Sequence, residues 1–249
     1  MIKWLTPKWA FGIYYMVKPV QNGGSGKLYG LLVRKERWGL SWRGRIVAIA
    51  LVLVVGLWWL LGIHSFLAVT RPVNTNILVV EGWVSNYGLK GAINEYHSGH
   101  YQYVFATGGP MAGMGTSSSI YDTDAYRTAE LLRKAGIPDA IVQCVPCPFV
   151  GRNRTYNSAL TLRNWFHDHN MTVQSFNVLT EDAHARRTWM LFREAFGKDV
   201  QIGIISVPDP DYDAKHWWRS SEGVRGVIDE SIAYVYARFF FWPKSDSQN

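Results

Sequence analysis

The sequence predicts an α/β domain with a doubly wound, mostly parallel five-stranded sheet of Rossmann-like type, preceded by one N-terminal transmembrane helix. Two observations predict it. After Arg71, short apolar runs alternate with amphipathic segments, the pattern of βαβ units. Before Arg71, the 25 residues from Ile46 to Thr70 contain no Asp, Glu, Lys or Arg. We therefore divide the chain into a basic tail (1–45), a membrane anchor (46–70) and an α/β domain (71–249).

The excess of positive charge is confined to the tail. Residues 1–45 hold nine Lys or Arg residues against one acidic residue, Glu36, whereas the other 204 residues hold 17 basic and 18 acidic residues. A nucleic-acid-binding domain would carry a basic face of its own. We therefore expect no nucleic acid among the partners.

The apolar stretch is long enough to cross a bilayer core at about 1.5 Å per residue. It lacks the polar stripe of a buried soluble helix, and it is longer than the apolar core of a cleaved signal peptide, the alternative. The positive-inside rule places residues 1–45 in the cytoplasm and the domain outside it. We expect a single-pass protein of the inner (plasma) membrane with a periplasmic domain. Within the tail, residues 3–27 mix Lys with aromatic residues; they form either an interfacial segment on the anionic inner leaflet or an unstructured extension.

Five strands and five helices are predicted after Arg71, from apolar runs and from helical spacing of apolar residues. The second helix ends in a clear stop signal, Gly136-Ile137-Pro138. The predicted strands are 76–80, 103–107, 141–145, 176–179 and 200–207, and the predicted helices are 86–98, 122–134, 155–169, 183–196 and 222–240.

Polar and glycine residues gather where each predicted strand ends. In doubly wound sheets, ligands bind outside the carboxyl ends of the strands. The residues at these ends are Glu81, Gly82 and Trp83; Thr107, Gly108 and Gly109; Arg152, Arg154 and Thr155; Glu181, Asp182, His184 and Arg187; and Asp209, Asp211, Asp213, His216 and Trp217.

His184 and Arg187 stand out among these residues. They lie three positions apart at a predicted helix start, so they share one face. A helix start and a guanidinium both favour an anion. The alternative is a pair of surface polar residues on an amphipathic helix.

Several familiar sites are missing from the sequence. The first strand-to-helix turn, Glu81-Gly82-Trp83, lacks the G-x-G-x-x-G pattern of dinucleotide sites. The glycine-rich loop from Gly109 to Gly115 lacks the Lys-Ser/Thr of a phosphate-binding loop, and no G-x-S-x-G elbow occurs. The histidines show no metal-ligand spacing. We therefore expect no cofactor and no metal.

Cys144 and Cys147 form a C-x-x-C pair in the extracytoplasmic region. This spacing is found in redox-active pairs, but those normally open a helix. Pro146, Pro148 and Gly151 surround this pair with helix breakers. A local disulfide or two ordinary thiols is the preferred interpretation.

Five short motifs follow one another in the α/β domain. They are Thr107-Gly108-Gly109, Thr123-Asp124-Ala125, Gly136-Ile137-Pro138, Arg154-Thr155-Tyr156 and His184-Ala185-Arg186-Arg187. Their order and spacing over residues 76–240 resemble the YdcF/SanA/ElyC family of bacterial envelope proteins. Asp124 stands where the family commonly has Glu, and Asn157 and Ser158 replace the Glu and Asn of its Thr-x-Glu-Asn-Ala element. The resemblance implies an anchored α/β domain that acts in cell-envelope or surface-polysaccharide assembly, and it implies no particular reaction.

We expect the domain to bind or process a phosphorylated envelope precursor, such as a lipid-linked sugar. His184 would be the general acid or base, and Glu81 would orient it or bind sugar hydroxyls. Arg154 and Arg187 would hold phosphate. The remaining candidate substrate-binding residues are Gly82, Trp83, Thr107, Gly108, Gly109, Asp124, Thr155 and Asp211.

The main alternative is a non-catalytic scaffold that recruits envelope synthesis or export proteins. The aromatic segment from Tyr234 to Trp242 would then be a docking or membrane-surface face. Ordinary packing of the last helix on the sheet is the simpler prediction for that segment, and the one we prefer. Methyl-donor or nucleotide binding rests on fold class alone and is a minor alternative.

Overall fold

The structure is a computed structural model that describes residues 31–34, 38–111, 119–148 and 151–243. The chain divides into two compact units, with the boundary between Leu57 and Trp58. In the first unit, β1 (Leu32–Arg34) and β2 (Trp38–Leu40) form an antiparallel pair that the sequence-based predictions did not include. The predicted interfacial or unstructured segment lies within residues 1–30, outside the described residues.

Helix α1 (Trp42–Leu67) has 26 residues and is the one helix of the described chain that is long and apolar enough to cross a membrane. At about 1.5 Å per residue it is roughly 39 Å long. It begins before the predicted stretch because the Ser41 hydroxyl accepts a hydrogen bond from the Gly44 N–H and caps the helix start. Between Ile46 and Trp58 its large apolar side chains are exposed, as a lipid-facing surface requires.

The last ten residues of α1, Trp58–Leu67, belong to the second unit. Trp59, Leu60, Ile63 and Leu67 enter a hydrophobic cluster whose other members lie far along the chain. Those members are Ala183, Tyr212, Trp217, Trp218, Val227, Ile228 and Tyr234. The end of the apolar helix is therefore part of the domain core.

The second unit is built on one parallel sheet, which confirms the predicted fold class. Its strands lie in the order β5-β4-β3-β6-β7, and every neighbouring pair is parallel. The strands are β3 (Ile77–Glu81), β4 (Tyr103–Gly108), β5 (Val142–Pro146), β6 (Ser175–Glu181) and β7 (Gln201–Val207).

Four helices cover the two faces of this sheet: α2 (Asn86–Ser98), α3 (Asp124–Lys134), α4 (Arg154–Asp168) and α5 (Ala185–Phe196). The last helix, α6 (Ser221–Phe239), packs against α5 and the segments that follow β6 and β7. Side chains alternate along each strand, so Leu78 and Val80 pack in the cluster with α2 and α3. Val79 packs in the opposite cluster, with α4 and α5. The helices change face between β3 and β6, where doubly wound sheets open a crevice.

Two central strands extend further than their apolar runs predict. β3 continues to Glu81, which pairs with Thr107 of β4, and β6 continues to Glu181, which pairs with Val207 of β7. Strand pairing thus carries two carboxylates to the edge of the sheet. A single 3₁₀ turn, Asp182–His184, then precedes α5.

The preferred prediction for the last aromatic segment is wrong for most of its length. Three residues of α6, Val227, Ile228 and Tyr234, pack in the cluster with the end of α1. The large side chains toward its end are exposed, namely Ile232, Val235, Tyr236, Phe239, Phe240 and Trp242. The apolar residues of this helix are distributed around it, so they cannot all face the sheet.

Candidate functional site

The neighbouring strands β3 and β6 bring the first catalytic candidates together. Val80 lies opposite Leu179 in register, so Glu81 ends β3 beside the last residues of β6. His184 closes the turn after β6, and Trp83 follows β3. The ring centroids of Trp83 and His184 are 4.6 Å apart with the rings edge to face. The sheet thus brings Glu81, Trp83 and His184, which are distant in the sequence, into one cluster.

His184 is held on one side of its ring by a carboxylate from α6. Its Nδ1 atom lies 2.8 Å from Glu230 Oε1. Its Nε2 atom is buried and has no hydrogen-bond partner among the described residues. The nearest acidic atom to Nε2 in the cluster is Glu81 Oε2, at 3.7 Å. Glu230 rather than Glu81 is therefore the carboxylate placed to orient this imidazole.

Arg187 binds the same carboxylate through two nitrogens. Its Nε atom donates to Glu230 Oε2 and its Nη2 atom to Glu230 Oε1, both at 2.8 Å. Nη2 also lies 2.9 Å from His184 Nδ1, and Nδ1 cannot both accept from Arg187 and donate to Glu230. We assign the proton to Nδ1, because Nη2 already has Glu230 as its acceptor. Nε2 then carries the free lone pair, as a general base requires.

The charges in this cluster reinforce one another. Burial alone raises the pKa of Glu230, but the hydrogen bonds from Arg187 and His184 outweigh it and lower that pKa to about 2. Burial lowers the pKa of Arg187, whereas the hydrogen bonds and charge of Glu230 and the charge of Glu81 raise it above its ordinary value. Both groups are thus ionised at any physiological pH. The Arg187 charge is already neutralised by Glu230, so it has less to offer a phosphate than the sequence predicts.

Glu81 is a buried carboxylate with one clear partner. Its side chain is 3% exposed, and its Oε2 atom accepts a hydrogen bond of 2.9 Å from the Thr188 hydroxyl. Thr188 follows Arg187 on α5, so consecutive residues of one helix hold the two carboxylates near His184: Arg187 binds Glu230 and Thr188 binds Glu81. The arrangement leaves Glu81 facing His184 Nε2 without bonding it.

The two strand-end glycines serve close packing around Asp124. A methyl group at Gly82 would lie 2.6 Å from backbone atoms of Asp124 and Thr107, and one at Gly108 would lie 2.9 Å from Asp124 Cβ. The Gly109 carbonyl accepts from the Asp124 N–H at 2.9 Å. These glycines let the start of α3 sit directly on the ends of β3 and β4. Their first role is therefore to place Asp124.

Arg154 opens α4 and pairs with Asp124. The distance from Arg154 Nη2 to Asp124 Oδ2 is 2.9 Å, and about half of the arginine side chain remains exposed. Burial raises the pKa of Asp124, and the nearby Arg154 and Arg127 partly offset that effect. Asn153, at the helix start, has left-handed backbone angles (φ 61°, ψ 35°) and gives no side-chain cap. The first N–H groups of α4 therefore have no capping side chain.

Trp83, Arg154, His184, Arg187 and Glu230 line one cavity of about 550 Å³. The lining combines the start of α4, the turn after β6 and the inner side of α6, and aromatic side chains form much of its wall. The lining residues are Trp83, Tyr87, Gly151, Asn153, Arg154, Thr155, Tyr156, Glu181, Asp182, Ala183, His184, Arg187, Leu191, Asp209, Tyr212, Gly226, Glu230, Ala233, Tyr236, Ala237 and Phe241. Its volume is that of ordinary small-molecule sites.

The cavity also contains an acidic group of side chains. Burial, followed by the charges of Glu181 and Asp209, raises the pKa of the Tyr87 hydroxyl. Glu181 accepts hydrogen bonds from the backbone and hydroxyl of Ser85, at 2.6 and 2.7 Å. Carboxylates and phenols of this kind can bind the hydroxyl groups of a sugar. No group of three or more His, Cys, Asp or Glu residues among those described is placed to hold a metal ion.

A slot of about 20 Å³ adjoins the cluster. It has room for about one water-sized group. Its lining brings together Glu81, Trp83, Thr107, Gly108, Gly109, Asp124, Arg154, Thr155 and Ser158. The Thr107 hydroxyl there is buried without a hydrogen-bond partner among the described residues. A small polar group of a ligand would satisfy it.

Asp182 joins the site to the apolar helix. It has an unusual left-handed backbone (φ 37°), and its carboxylate lies 3.1 Å from His64 Nε2 of α1. The Tyr212 hydroxyl donates to the same carboxylate. A non-glycine residue with positive φ carries strain that its surroundings must hold. Contacts from α1 and from the loop after β7 hold it here.

Asp211 does not join the site. It is exposed, its N–H donates to Asp209 Oδ1 at 2.9 Å, and it lines neither cavity at this sheet edge. Trp217 of the same loop is buried in the cluster formed with α1. The loop after β7 thus contributes through Asp209 and Tyr212.

Sequence reasoning missed Glu230, the residue that binds both His184 and Arg187. It lies 46 residues beyond His184, in a helix that carries Asp229 at the preceding position. No motif marks one of these acids as buried. Only the docking of α6 across the strand ends distinguishes them.

Both cysteines are free thiols. Cys144 lies within β5 and Cys147 just after it. Burial raises the pKa of Cys144, even though the nearby Arg133 lowers it. A raised pKa keeps a thiol protonated and unreactive. Cys144 is partly buried and Cys147 is buried, which agrees with the prediction of two ordinary thiols.

Comparison of the chain with protein families, with curated proteins and with solved structures found no match. The resemblance to the YdcF/SanA/ElyC family therefore stays a prediction from the sequence motifs. The function must be argued from the geometry of the site.

Proposed function

We propose that this chain is a single-pass protein of the inner membrane whose periplasmic domain binds and processes a phosphorylated precursor of the cell envelope or of a surface polysaccharide, such as a lipid-linked sugar. The observation that carries the proposal is that an uncapped helix start, a half-exposed arginine and an oriented histidine open into one cavity. The basic tail before α1 supports the orientation.

Phosphate is assigned to the start of α4. The N–H groups of a helix start favour an anion, and the Asn153 side chain does not cap those of α4. Among the described residues Arg154 bonds one side chain, that of Asp124, so its guanidinium has further N–H groups for a phosphate. Arg187 is assigned a structural role instead, because Glu230 already holds it on two sides.

Proton transfer is assigned to His184. With the proton on Nδ1, Nε2 can accept a proton from an attacking hydroxyl or water and return it to a leaving oxygen. Glu230 fixes the tautomer and the ring orientation, as a carboxylate does in catalytic triads. Glu81 lies on the Nε2 side and would attract the positive charge that forms there.

Calorimetry on the full-length protein in detergent tests the binding step, with farnesyl pyrophosphate as the probe. Wild type should bind it, and Arg154→Gln should weaken the affinity by roughly tenfold to a hundredfold, the value of a hydrogen bond to a charged group. Arg152→Gln is the matched control, since Arg152 is exposed and does not line the cavity. Equal affinity for farnesol, or an unchanged Arg154→Gln variant, would overturn the assignment.

Phosphate release from the same probe tests the chemical step. His184→Gln should bind like wild type but release phosphate at least about a hundredfold more slowly, the usual contribution of a general acid or base. Release at the wild-type rate by a folded His184→Gln variant would remove this histidine from the mechanism.

The exposed aromatic end of α6 supports the scaffold as a second candidate function. Its exposed residues, from Ile232 to Trp242, form a surface of the kind that often contacts partners. A photo-crosslinker placed at Phe239 in intact membranes separates the options. A single protein adduct would favour a scaffold, whereas adducts to lipid alone would count against it.

A further inference from the structure

A second cavity, of about 790 Å³, lies away from His184 on the other side of α5. Its basic lining residues are Arg71, Arg186, Arg193, Lys198 and Arg238. We call it the arginine groove. Its position on α5 follows from helical spacing, since Arg186 and Arg187 are consecutive and so point in different directions.

Three guanidinium groups of the groove surround one indole ring. The Cζ atoms of Arg71, Arg186 and Arg193 lie 5.9, 5.9 and 5.2 Å from the centroid of the Trp189 ring. The ring is fixed, because its Nε1 atom donates to the Ile202 carbonyl at 2.7 Å. Cation–π attraction holds each guanidinium group near the ring. The three positive charges are therefore close to one another and repel each other.

No carboxylate neutralises these arginines within the described chain. Glu194 and Asp199 also line the groove, but neither forms a salt bridge with Arg71, Arg186 or Arg193 among the described residues. The arginines of the first cavity are paired with carboxylates instead. Burial and the charge of Arg71 lower the pKa of Arg186, although Tyr234 opposes them. The groove thus has the electrostatics of an anion site.

The groove begins where the apolar helix ends. Arg186 Nε donates to the Phe66 carbonyl at 2.8 Å, and the Arg186 Cζ atom lies 4.3 Å from the Phe66 ring centroid. Arg71 follows four residues after the end of α1, and its backbone exchanges hydrogen bonds with Ile204 of β7. Helix α1, at roughly 39 Å, is longer than the ~30 Å hydrocarbon core of a bilayer, and the Phe66 side chain one residue before its end is exposed. Basic side chains beside that end would therefore lie near the lipid phosphates.

We propose that the arginine groove binds the phosphate of an anionic phospholipid headgroup. Arg71 and Arg186 contact the phosphate, and Trp189 holds them in position. The groove would fix the domain on the membrane surface. This inference is independent of the His184 cavity, and it depends on α1 crossing the membrane.

Native mass spectrometry on the full-length protein in detergent tests it, with phosphatidylglycerol and phosphatidylcholine as probes. Wild type should retain phosphatidylglycerol in preference to phosphatidylcholine. The double variant Arg71→Gln/Arg186→Gln should lose roughly tenfold to thirtyfold in affinity for phosphatidylglycerol, given the strength of basic residues near anionic lipid. Arg152→Gln/Arg219→Gln removes the same charge from exposed positions outside the groove and should bind like wild type.

The outcomes separate the sources of the anion. Displacement of the lipid by glycerol phosphate at much higher concentration would support a phosphate site that takes its ligand from lipid. Glycerol phosphate binding as tightly as phosphatidylglycerol would overturn the lipid assignment in favour of a soluble phosphate. Equal retention by wild type and the groove variant, or equal loss in the control variant, would overturn the site itself. Farnesyl pyrophosphate binding at Arg154 should be unchanged in the groove variant.

Discussion

Glu230→Gln is the most direct test of the charged cluster around His184. The substitution keeps the shape of the side chain and removes the charge that binds Arg187 and His184. Burial raises the pKa of Glu230, but the hydrogen bonds of Arg187 and His184 lower it from 4.5 to about 2. A tenfold change in proton affinity is worth about 1.4 kcal/mol. The ionised carboxylate therefore stabilises the fold by about 3 kcal/mol at neutral pH.

The sign of the pH dependence follows from the lowered pKa. A carboxyl group whose pKa is lower in the folded state stabilises the protein above its unfolded pKa, and that contribution is lost as the pH falls toward the folded pKa. For Glu230 the loss runs from about pH 4.5 to about pH 2. By pH 3, about 2 kcal/mol of its contribution should have disappeared.

Guanidinium unfolding of the full-length protein in detergent, followed by tryptophan fluorescence, measures this effect. At pH 7, Glu230→Gln should lower the free energy of unfolding by about 3 to 5 kcal/mol, because it also leaves Arg187 without its partner. The difference from wild type should shrink by about 2 kcal/mol at pH 3. Asp229→Asn, an exposed neighbour in α6, should change stability by less than about 0.5 kcal/mol. A difference that is the same at both pH values would refute the reasoning.

Three further predictions concern packing and reactivity. Gly82→Ala should lower the free energy of unfolding by about 1 to 3 kcal/mol, because the added methyl group would clash with backbone atoms. Gly226→Ala, in open space within α6, should raise that free energy by about 1 kcal/mol or less. Equal effects of the two substitutions would contradict this reasoning. A truncated protein that starts at Trp58 should unfold at a higher temperature than one that starts at Arg71. Only the longer protein keeps the last turns of α1, which pack in the core. Equal melting temperatures would count against that packing. Iodoacetamide should label Cys144 slowly at pH 7 in the folded protein and rapidly after denaturation, and fast labelling of the folded protein would show a reactive thiol.

The fold was predictable because its signals are local. Apolar runs such as the one that ends at Val80, and stop signals such as Gly136-Ile137-Pro138, each need only a few neighbouring residues. The ends of β3 and β6 were less predictable, since their last polar residues join the sheet through pairing with Thr107 and Val207. The pattern of residues along the chain does not show which residues will form hydrogen bonds with a neighbouring strand.

The site was predictable only in part, for the same physical reason. The rule for parallel sheets correctly gathers Glu81, Trp83 and His184, because it follows from topology alone. It cannot say which carboxylate approaches the imidazole, and Glu230 comes from a helix outside the alternating pattern. It also places Asp211 at the sheet edge, where the path of the loop instead turns that residue to solvent.

The two parts of helix α1 have different surroundings. Its large apolar side chains are exposed from Ile46 to Trp58, whereas one side of its last turns packs in the domain, where His64 and Asp182 form a buried pair. An unrelated apolar helix could supply the exposed part but not these contacts. Replacing α1 by such a helix would therefore disturb Asp182, the residue with positive φ beside the cavity. Natural variation in α1 should accordingly be broad before Trp58 and narrow after it.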